Sequence, residues 1–333
     1  MSGSKLVAPN SGLIIPKAVN IAYVATAQRG FNGKVSLLEV GSHISDCGRD
    51  THPVSRTKRF LTIAIRDQRS EDWLRDSLRN ITSESLRDFA LVYYSVYRKV
   101  FRPEDFEDHG PTLDYLLDET LKRVTQYGYA SFWCSAMAKD GTPVGLTTGG
   151  ILPKSGTMFI GYLGVAEEYR RNGVDLALLA EAVIFSARAC GLYEGKKSGS
   201  TMPKYGLGEL EVGADKYSEL HRIGQYGGGV LADTSGNPID YRQPAARGLE
   251  PSKLHMFIRA FDGRMTLTKT EAVSILTEML EYYYMPGNRA TVERKAAEEV
   301  TRLMKDVHGD NLILVPLTDE NIPRLNAARE RTA

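Results

Sequence analysis

The densest chemistry in the chain lies in the run Tyr-Leu-Gly-Val-Ala-Glu-Glu-Tyr-Arg-Arg-Asn-Gly-Val-Asp-Leu-Ala-Leu-Leu, residues 162–179. A strand ends at Val165, a short polar loop follows, and a helix starts at once. The first turn of a helix leaves amide groups unpaired and carries partial positive charge, so such a junction can hold an anion. Gly173 lets the main chain approach a phosphate without a Cβ in the way. Arg170 and Arg171 can add charge-assisted hydrogen bonds, each worth about 1.5–3 kcal/mol where water is excluded. By themselves these residues specify a phosphate-like anion and nothing finer.

The elements that must position this loop can be read from spacing. Residues 144–152 and 158–165 read as strands, with 129–138 before them and Asp140-Gly141 as a hairpin turn between the first two. Two helices precede this meander: 86–101, stopped by Pro103, and a stripe through Leu113, Leu116, Leu117, Leu121 and Val124 that ends at Gly128. After the loop, Leu176, Leu179, Ala180, Val183, Ile184 and Ala187 predict the buried face of a long helix, with Gly191 as its left-handed stop. Residues 195–208 read as a loop, 209–212 as a short strand, and 217–226 as a helix broken by Gly227, Gly228 and Gly229. A strand over 254–261 follows. Thr268 and Glu271 form a capping box for a helix whose stripe runs from Ala272 to Tyr283, and a second amphipathic helix and a short strand (312–315) follow. Near the start, 19–27, 35–40 and 60–65 read as strands, with 42–57 as a linker.

The run Tyr-Arg-Arg-Asn-Gly-Val-Asp resembles the Arg/Gln-x-x-Gly-x-Gly/Ala signature of the GNAT acyltransferase superfamily. Arg170 and Gly173 match its first two fixed positions, and Leu163-Gly164-Val165 resembles the Leu-x-Val that ends the family's fourth strand. The resemblance covers roughly residues 59–262. It implies an α/β (α+β) fold with a mixed, largely antiparallel central sheet flanked by helices. An N-terminal extension (1–58) and a helical C-terminal extension (263–333) would flank that domain. It also implies that Arg170, Arg171, Asn172, Gly173, Val174, Asp175 and Leu176 hold the pyrophosphate of coenzyme A. Leu163, Gly164 and Val165 would pair with the pantetheine arm, and an amide there would polarise the thioester carbonyl. Asp175 departs from the Gly or Ala of the signature: it suits a helix N-terminus but repels a diphosphate.

Family chemistry is the direct attack of an amine on a thioester, so a base must take a proton from the amine. The fourth strand carries no acid, whereas Glu209 and Glu211 lie on one face of the fifth. Either is the expected base. The family's acid tyrosine follows the fifth strand before a Gly-Phe pair that is missing here; Tyr217, His221 and Tyr226 are the candidates, with Tyr226 favoured because Gly227 follows it. The reading is an N-acetyltransferase that moves an acetyl group from acetyl-CoA, or another acyl group from its CoA thioester, to a primary amine of a small molecule. Two alternatives stand. One is an acyltransferase with a longer donor or a carrier-protein donor, as in the related autoinducer synthases. The other is a non-catalytic acyl-CoA sensor.

Composition is consistent with this and excludes other classes. The chain has 333 residues, 42% apolar and 25% charged, which fits a globular protein rather than a disordered one. Its net charge is +1, which gives no electrostatic footprint for nucleic acid or an anionic membrane. No apolar run reaches the roughly 18 residues of a membrane span, and the first residues do not read as a signal peptide. The sparse cysteines Cys47, Cys134 and Cys190 read as buried thiols of a reducing compartment, so a cytoplasmic location is expected. The histidines show no ligand spacing, so no metal is assigned. A homodimer through the extensions is a further expectation. Asn80-Ile81-Thr82 is a glycosylation sequon without meaning in an unsecreted protein, and the phosphate-loop likeness of 191–196 lacks the required spacing.

Overall fold

A computed structural model describes residues 18–28, 35–46, 56–63, 97–98, 130–138, 142–194, 200–211, 213, 216–244, 252–284 and 289–330. The Asp140-Gly141 turn, Cys47, Asn80, the 113–128 helix and all of the 86–101 helix except Tyr97 and Arg98 lie outside these residues.

Among the described residues one twelve-stranded sheet organises the fold. Its strands are β1 (Ala18–Gln28), β2 (Val35–Asp46), β3 (Arg56–Ile63), β4 (Ala130–Met137), β5 (Pro143–Leu152) and β6 (Thr157–Val165). They continue with β7 (Tyr205–Glu211), β8 (Gly229–Ala232), β9 (Arg242–Gln243), β10 (Ser252–Ala260), β11 (Thr266–Thr268) and β12 (Asn311–Val315). The spatial order is β11-β12-β8-β10-β7-β6-β5-β4-β1-β2-β3, with β9 beside β10. The pairing of β6 with β7 is parallel and the other described pairings are antiparallel. The mixed, largely antiparallel sheet is therefore as expected, and strands from both expected extensions add to its two edges.

Among the described residues the longer helices are α1 (Val174–Tyr193), α2 (Tyr217–Gly224), α3 (Lys269–Met279), α4 (Arg289–Leu303) and α5 (Asn321–Glu330). Helix α1 covers one face, where Val174, Ala177, Leu178, Ala182 and Phe185 meet Phe132, Met158 and Val165. Leu220 of α2 and Ile322 and Leu325 of α5 pack on the same side against Val230, Phe257 and Val315. On the opposite face Leu276 and Met279 of α3 and Val300 of α4 meet Phe159, Leu207, Met256 and Ile258. The Thr268–Glu271 capping box is present and starts α3. That helix runs on into a π-turn over Leu280–Tyr284, where Tyr282 joins the core and the Tyr283 ring lies 4.2 Å from that of Phe159.

Four expectations change. The buried face of α1 is not the stripe through Leu176, which is 39% exposed. The helix is apolar almost all round, so periodicity alone does not choose a face; the small side chains Ala177 and Ala182 win because they let the helix approach the sheet. Gly191 lies inside α1 and does not stop it. Strand β7 starts at Tyr205, within the segment read as loop. The linker read over 42–57 gives its ends to β2 and β3.

Candidate active site

The site is built by a fork in the sheet. Strands β6 and β7 pair from Thr157 with Tyr205 as far as Ile160 with Gly208. Beyond that point β6 continues to Val165 and β7 to Glu211 without pairing to each other. The cause lies in a bulge: Thr148 of β5 faces Tyr162, whereas Gly149 faces Ile160, so Gly161 is the extra residue. A bulge bends its strand and strengthens its twist. Its mark on packing is a step in the alternation, because Ile160 and then Leu163 and Val165 meet the α1 cluster. Gly149 makes the bulge feasible, since a Cβ there would lie 1.9 Å from the Phe159 carbonyl oxygen. The Thr147 hydroxyl donates to the Tyr162 carbonyl (3.0 Å), and the Ala166 amide donates to the Val144 carbonyl (2.9 Å), which fixes the bent end of β6.

The loop at that end has an unusual backbone. A 3-10 turn, Glu167–Tyr169, leads into Arg170 in extended conformation, then Arg171 at φ 67° and Gly173 at φ 76°. A left-handed arginine is uncommon and is kept only where its surroundings impose it. The amides of Arg171, Asn172 and Gly173 donate to no backbone carbonyl among the described residues. The first amides of α1 follow directly, unpaired as at any helix start. Arg170 does not reach out: its Nε donates to the Val165 carbonyl at 3.2 Å. Arg171 is exposed and Leu176 stands at the rim of the loop. The fork and the loop therefore bring an unpaired edge of β6 beside loop amides that find no backbone acceptor among the described residues. This fits a diphosphate ester with an amide-bearing arm.

Asp175 has a partner that spacing could not reveal. The Tyr226 hydroxyl, just beyond α2, donates to its carboxylate. Burial first, and then the Asp175 charge and hydrogen bond, push the Tyr226 phenol well above its usual value, so it stays protonated at neutral pH. The other acid–base candidates separate. Glu211 is tied to Lys216 at 3.1 Å. His221 and Tyr217 share Asp319, with Nδ1 and the hydroxyl at 2.9 and 2.6 Å from its Oδ1, on the exposed α2–α5 surface. Glu209 is the first β7 residue past the last pair with β6 and accepts a hydrogen bond from the Tyr241 hydroxyl. Its side chain shares a face with Tyr205 and Leu207, opposite α1. Tyr162 projects to that same face, and its ring meets the Tyr97 ring edge-on at 5.6 Å. The geometry thus divides the candidates between the two sides of the fork: Asp175 and Tyr226 on the α1 side, Glu209 and two tyrosine rings on the other.

A cleft of about 710 Å³ lies elsewhere, at the closed end of the β6–β7 pair, lined by residues that include Lys154, Lys204, Tyr205, Arg264 and Glu271. Cys134 and Cys190 are buried and unpaired; burial pushes both thiols up, that of Cys190 to about 11. They are packing residues. Among the described residues no cluster of His, Cys, Asp and Glu could hold a metal, and no helix is long and apolar enough to cross a membrane.

Residues 92–194 match the model of the acetyltransferase (GNAT) family. Comparison with curated proteins returns no match. Among solved structures, a GNAT-family acetyltransferase from Staphylococcus aureus Mu50 is 14% identical, with 54% of this chain and 94% of that one covered, at a TM-score of 0.32. The PaiA N-acetyltransferase from Thermoplasma acidophilum, solved with coenzyme A, is 13% identical over 56% and 94%, at 0.30. The ribosomal-protein-S18-alanine N-acetyltransferase from Escherichia coli is 12% identical over 51% and 84%, at 0.30. The matched segment spans the bulged strand, the left-handed loop and α1, and this part of the chain is a GNAT acetyltransferase domain.

Proposed function

We propose that the protein transfers an acetyl group from acetyl-CoA to a primary amine of a small molecule, within the fork between β6 and β7. The observation that carries this reading is the end of β6–β7 pairing at Ile160 and Gly208, directly beside a loop whose amides find no described backbone acceptor. The amides of residues 171–176 hold the diphosphate. The free edge of Leu163–Val165 pairs with the pantetheine amides, and an amide of that edge polarises the thioester carbonyl.

Asp175 would repel the diphosphate if its carboxylate faced the loop. Tyr226 holds it aside. A phenol kept this firmly protonated beside a carboxylate is a poor donor to a thiolate, so the proposed role of Tyr226 is this clamp rather than acid catalysis. On the opposite side, Glu209 takes one proton from the acceptor ammonium. The neutral nitrogen attacks the carbonyl carbon, the carbon–nitrogen bond forms and the carbon–sulfur bond breaks. The second nitrogen proton neutralises the departing sulfur, which leaves as free thiol. A carboxylate on the sheet face to which Tyr162 projects, where that ring meets Tyr97, suits a cationic amine, drawn by charge and by the aromatic faces.

The test is calorimetric titration with CoA and acetyl-CoA, followed by thiol release with a panel of small amines. Wild-type protein is expected to bind both nucleotides and to turn over. Gly173→Ile forces a β-branched residue into φ 76° and is expected to weaken CoA binding at least 100-fold with the fold retained by circular dichroism. Unchanged affinity in that variant overturns the placement. Tight binding without turnover on any amine indicates a sensor, and acylation from a carrier protein alone indicates the other donor class; each result overturns the proposal.

A further inference from the structure

The geometry points to Tyr241 as a positioning residue for acyl transfer, with Gln243 as its weaker companion. This inference rests on the reading of Glu209 as the base. Glu209 sits where β7 has just lost β6 as a neighbour, so one flank of the strand no longer constrains it. A glutamate side chain has three rotatable bonds, and a base must meet the amine proton at hydrogen-bond distance. The rest of the site must therefore choose the rotamer.

Tyr241 is built to do so. It is fully buried, at 0% exposure, in the cluster beneath β7 and β10. Its main chain is pinned from both sides. The Ile239 amide donates to Leu231 of β8 at 3.2 Å, and Arg242 of β9 pairs with Lys253 of β10. The phenol thus projects from a fixed point, and its hydroxyl donates to Oε1 of Glu209. Gln243, two residues on, brings Nε2 to 3.4 Å from Oε2. A carboxylate oxygen has more than one lone pair, so these donors orient the group without preventing it from taking a proton.

The same contacts set the pH at which the base is ready. A donor to a carboxylate favours its charged form. Among the described residues, the charged groups that flank Glu209 and Tyr241 in the chain are engaged. Glu211 lies two residues along on the same face and is tied to Lys216. Asp240, beside Tyr241, is engaged by Lys253 at 3.7 Å and by Arg302 of α4 at 3.9 Å. Strand β10 presents Leu254, Met256 and Ile258 to this face. None of these three β10 side chains titrates. Removing its hydroxyl should therefore raise the pH at which Glu209 becomes a competent base.

The experiment is the pH profile of kcat/KM for Glu209→Gln, Tyr241→Phe and Gln243→Leu, each with a thermal melt. Glu209→Gln is expected to lose at least 100-fold in kcat. Tyr241→Phe is expected to shift the acidic limb upward by about one pH unit and to lower kcat about tenfold through misorientation. Its KM for acetyl-CoA stays unchanged, because the diphosphate loop lies on the other side of the fork. Gln243→Leu should move the limb the same way by a smaller amount, and it keeps the question open to test if Tyr241→Phe does not fold. If Glu209→Gln keeps its rate, the base assignment itself fails. If Glu209→Gln loses its rate while the limb stays in place in both other variants, only the positioning role is overturned. A lowered melting temperature with an unmoved limb is the signature of a purely structural tyrosine, and it too overturns the inference.

Discussion

The two ends of the β6–β7 pair are chemical opposites. At the closed end, where Thr157 faces Tyr205, carboxylates are bound to protein donors. Buried Glu278 of α3 accepts from the Lys154 amide (2.7 Å), the Ser155 amide (2.9 Å) and the Ser155 hydroxyl (2.7 Å), and so caps the β5–β6 turn. Glu271 accepts from Tyr205 (2.8 Å), from Arg264 (2.9 Å) and from the start of α3. At the open end the donors are main-chain amides without a backbone acceptor among the described residues, beside an arginine held at positive φ. The lesson is that cavity size and chemistry part company here. The cleft of about 710 Å³ is walled in part by charges engaged with one another, Arg264 with Glu271 and Asp262, whereas the open end, where we place the reaction, is a seam in the sheet.

The sharpest way to break this contrast is to close the seam. Gly149→Ala would place a Cβ 1.9 Å from a backbone oxygen, with no flexible side chain to yield. Its expected cost is about 4 kcal/mol of stability, with loss of the bulge and a fall in kcat/KM of at least 100-fold. Denaturant unfolding and thiol-release assays measure both. If the variant folds normally and stays active, the bulge does not open the fork. Glu278→Ala comes next and should act at one end only. It strands three donors in the interior at an expected cost of about 3 kcal/mol. The KM for acetyl-CoA in the folded fraction should stay as in wild type. A changed KM would show that the two ends communicate through β5 and β6.

How much of this contrast is legible in the sequence follows from the range over which each feature is encoded. The proposed anion loop is local: strand, arginines, glycine and helix lie within 18 residues, so residue type and order suffice. The capping box that starts α3 is local too, and it is found as read. The closed end is not local, because Glu278 meets a turn 123 residues earlier in the chain. The partners of Glu209 and Asp175 lie 32 and 51 residues away in segments without periodicity. The departure at Asp175 reads as a defect of the signature until Tyr226 is seen beside it. The buried face of α1 escapes sequence reading for another reason: an apolar helix offers several faces, and only the depth of the sheet groove selects the alanines. A signal for the fork was present in Gly149 and Gly161, small residues at the bulge, but glycine in a strand has several other causes.

Smaller effects refine the closed end. Thr268→Ala removes the N-cap of α3 and should reduce stability by about 1 kcal/mol without altering catalysis. Burial pushes the Glu271 carboxyl up, but the Thr268 amide, the Tyr205 hydroxyl and Arg264 outweigh it and hold the group at about 2, against an ordinary 4.5. The folded value is depressed, so the contribution is present above pH 4.5 and is lost as pH falls toward 2. Solvent screening keeps it modest at this half-exposed position. Stability measured from pH 6 to pH 2 should show less acid loss in Glu271→Gln than in wild type. Equal slopes would remove Glu271 from the acid response.

The smallest expected effect on stability is the most discriminating one at the open end. Arg171→Gly relieves a left-handed arginine, which costs about 1–2 kcal/mol in an L-residue. It also gives the unfolded chain more freedom, at about 0.5–1 kcal/mol against folding. The two nearly cancel, with relief slightly ahead, so the melt should stay level or rise by about half a kcal/mol. Affinity for CoA should fall about fivefold, because an exposed guanidinium beside a diphosphate is worth about 1 kcal/mol in water. A variant that is at least as stable and binds less tightly shows that the strained residue is kept for the ligand. If affinity is unchanged and stability falls instead, the left-handed turn belongs to the fold, and the loop is no different in kind from the capped turn at the other end.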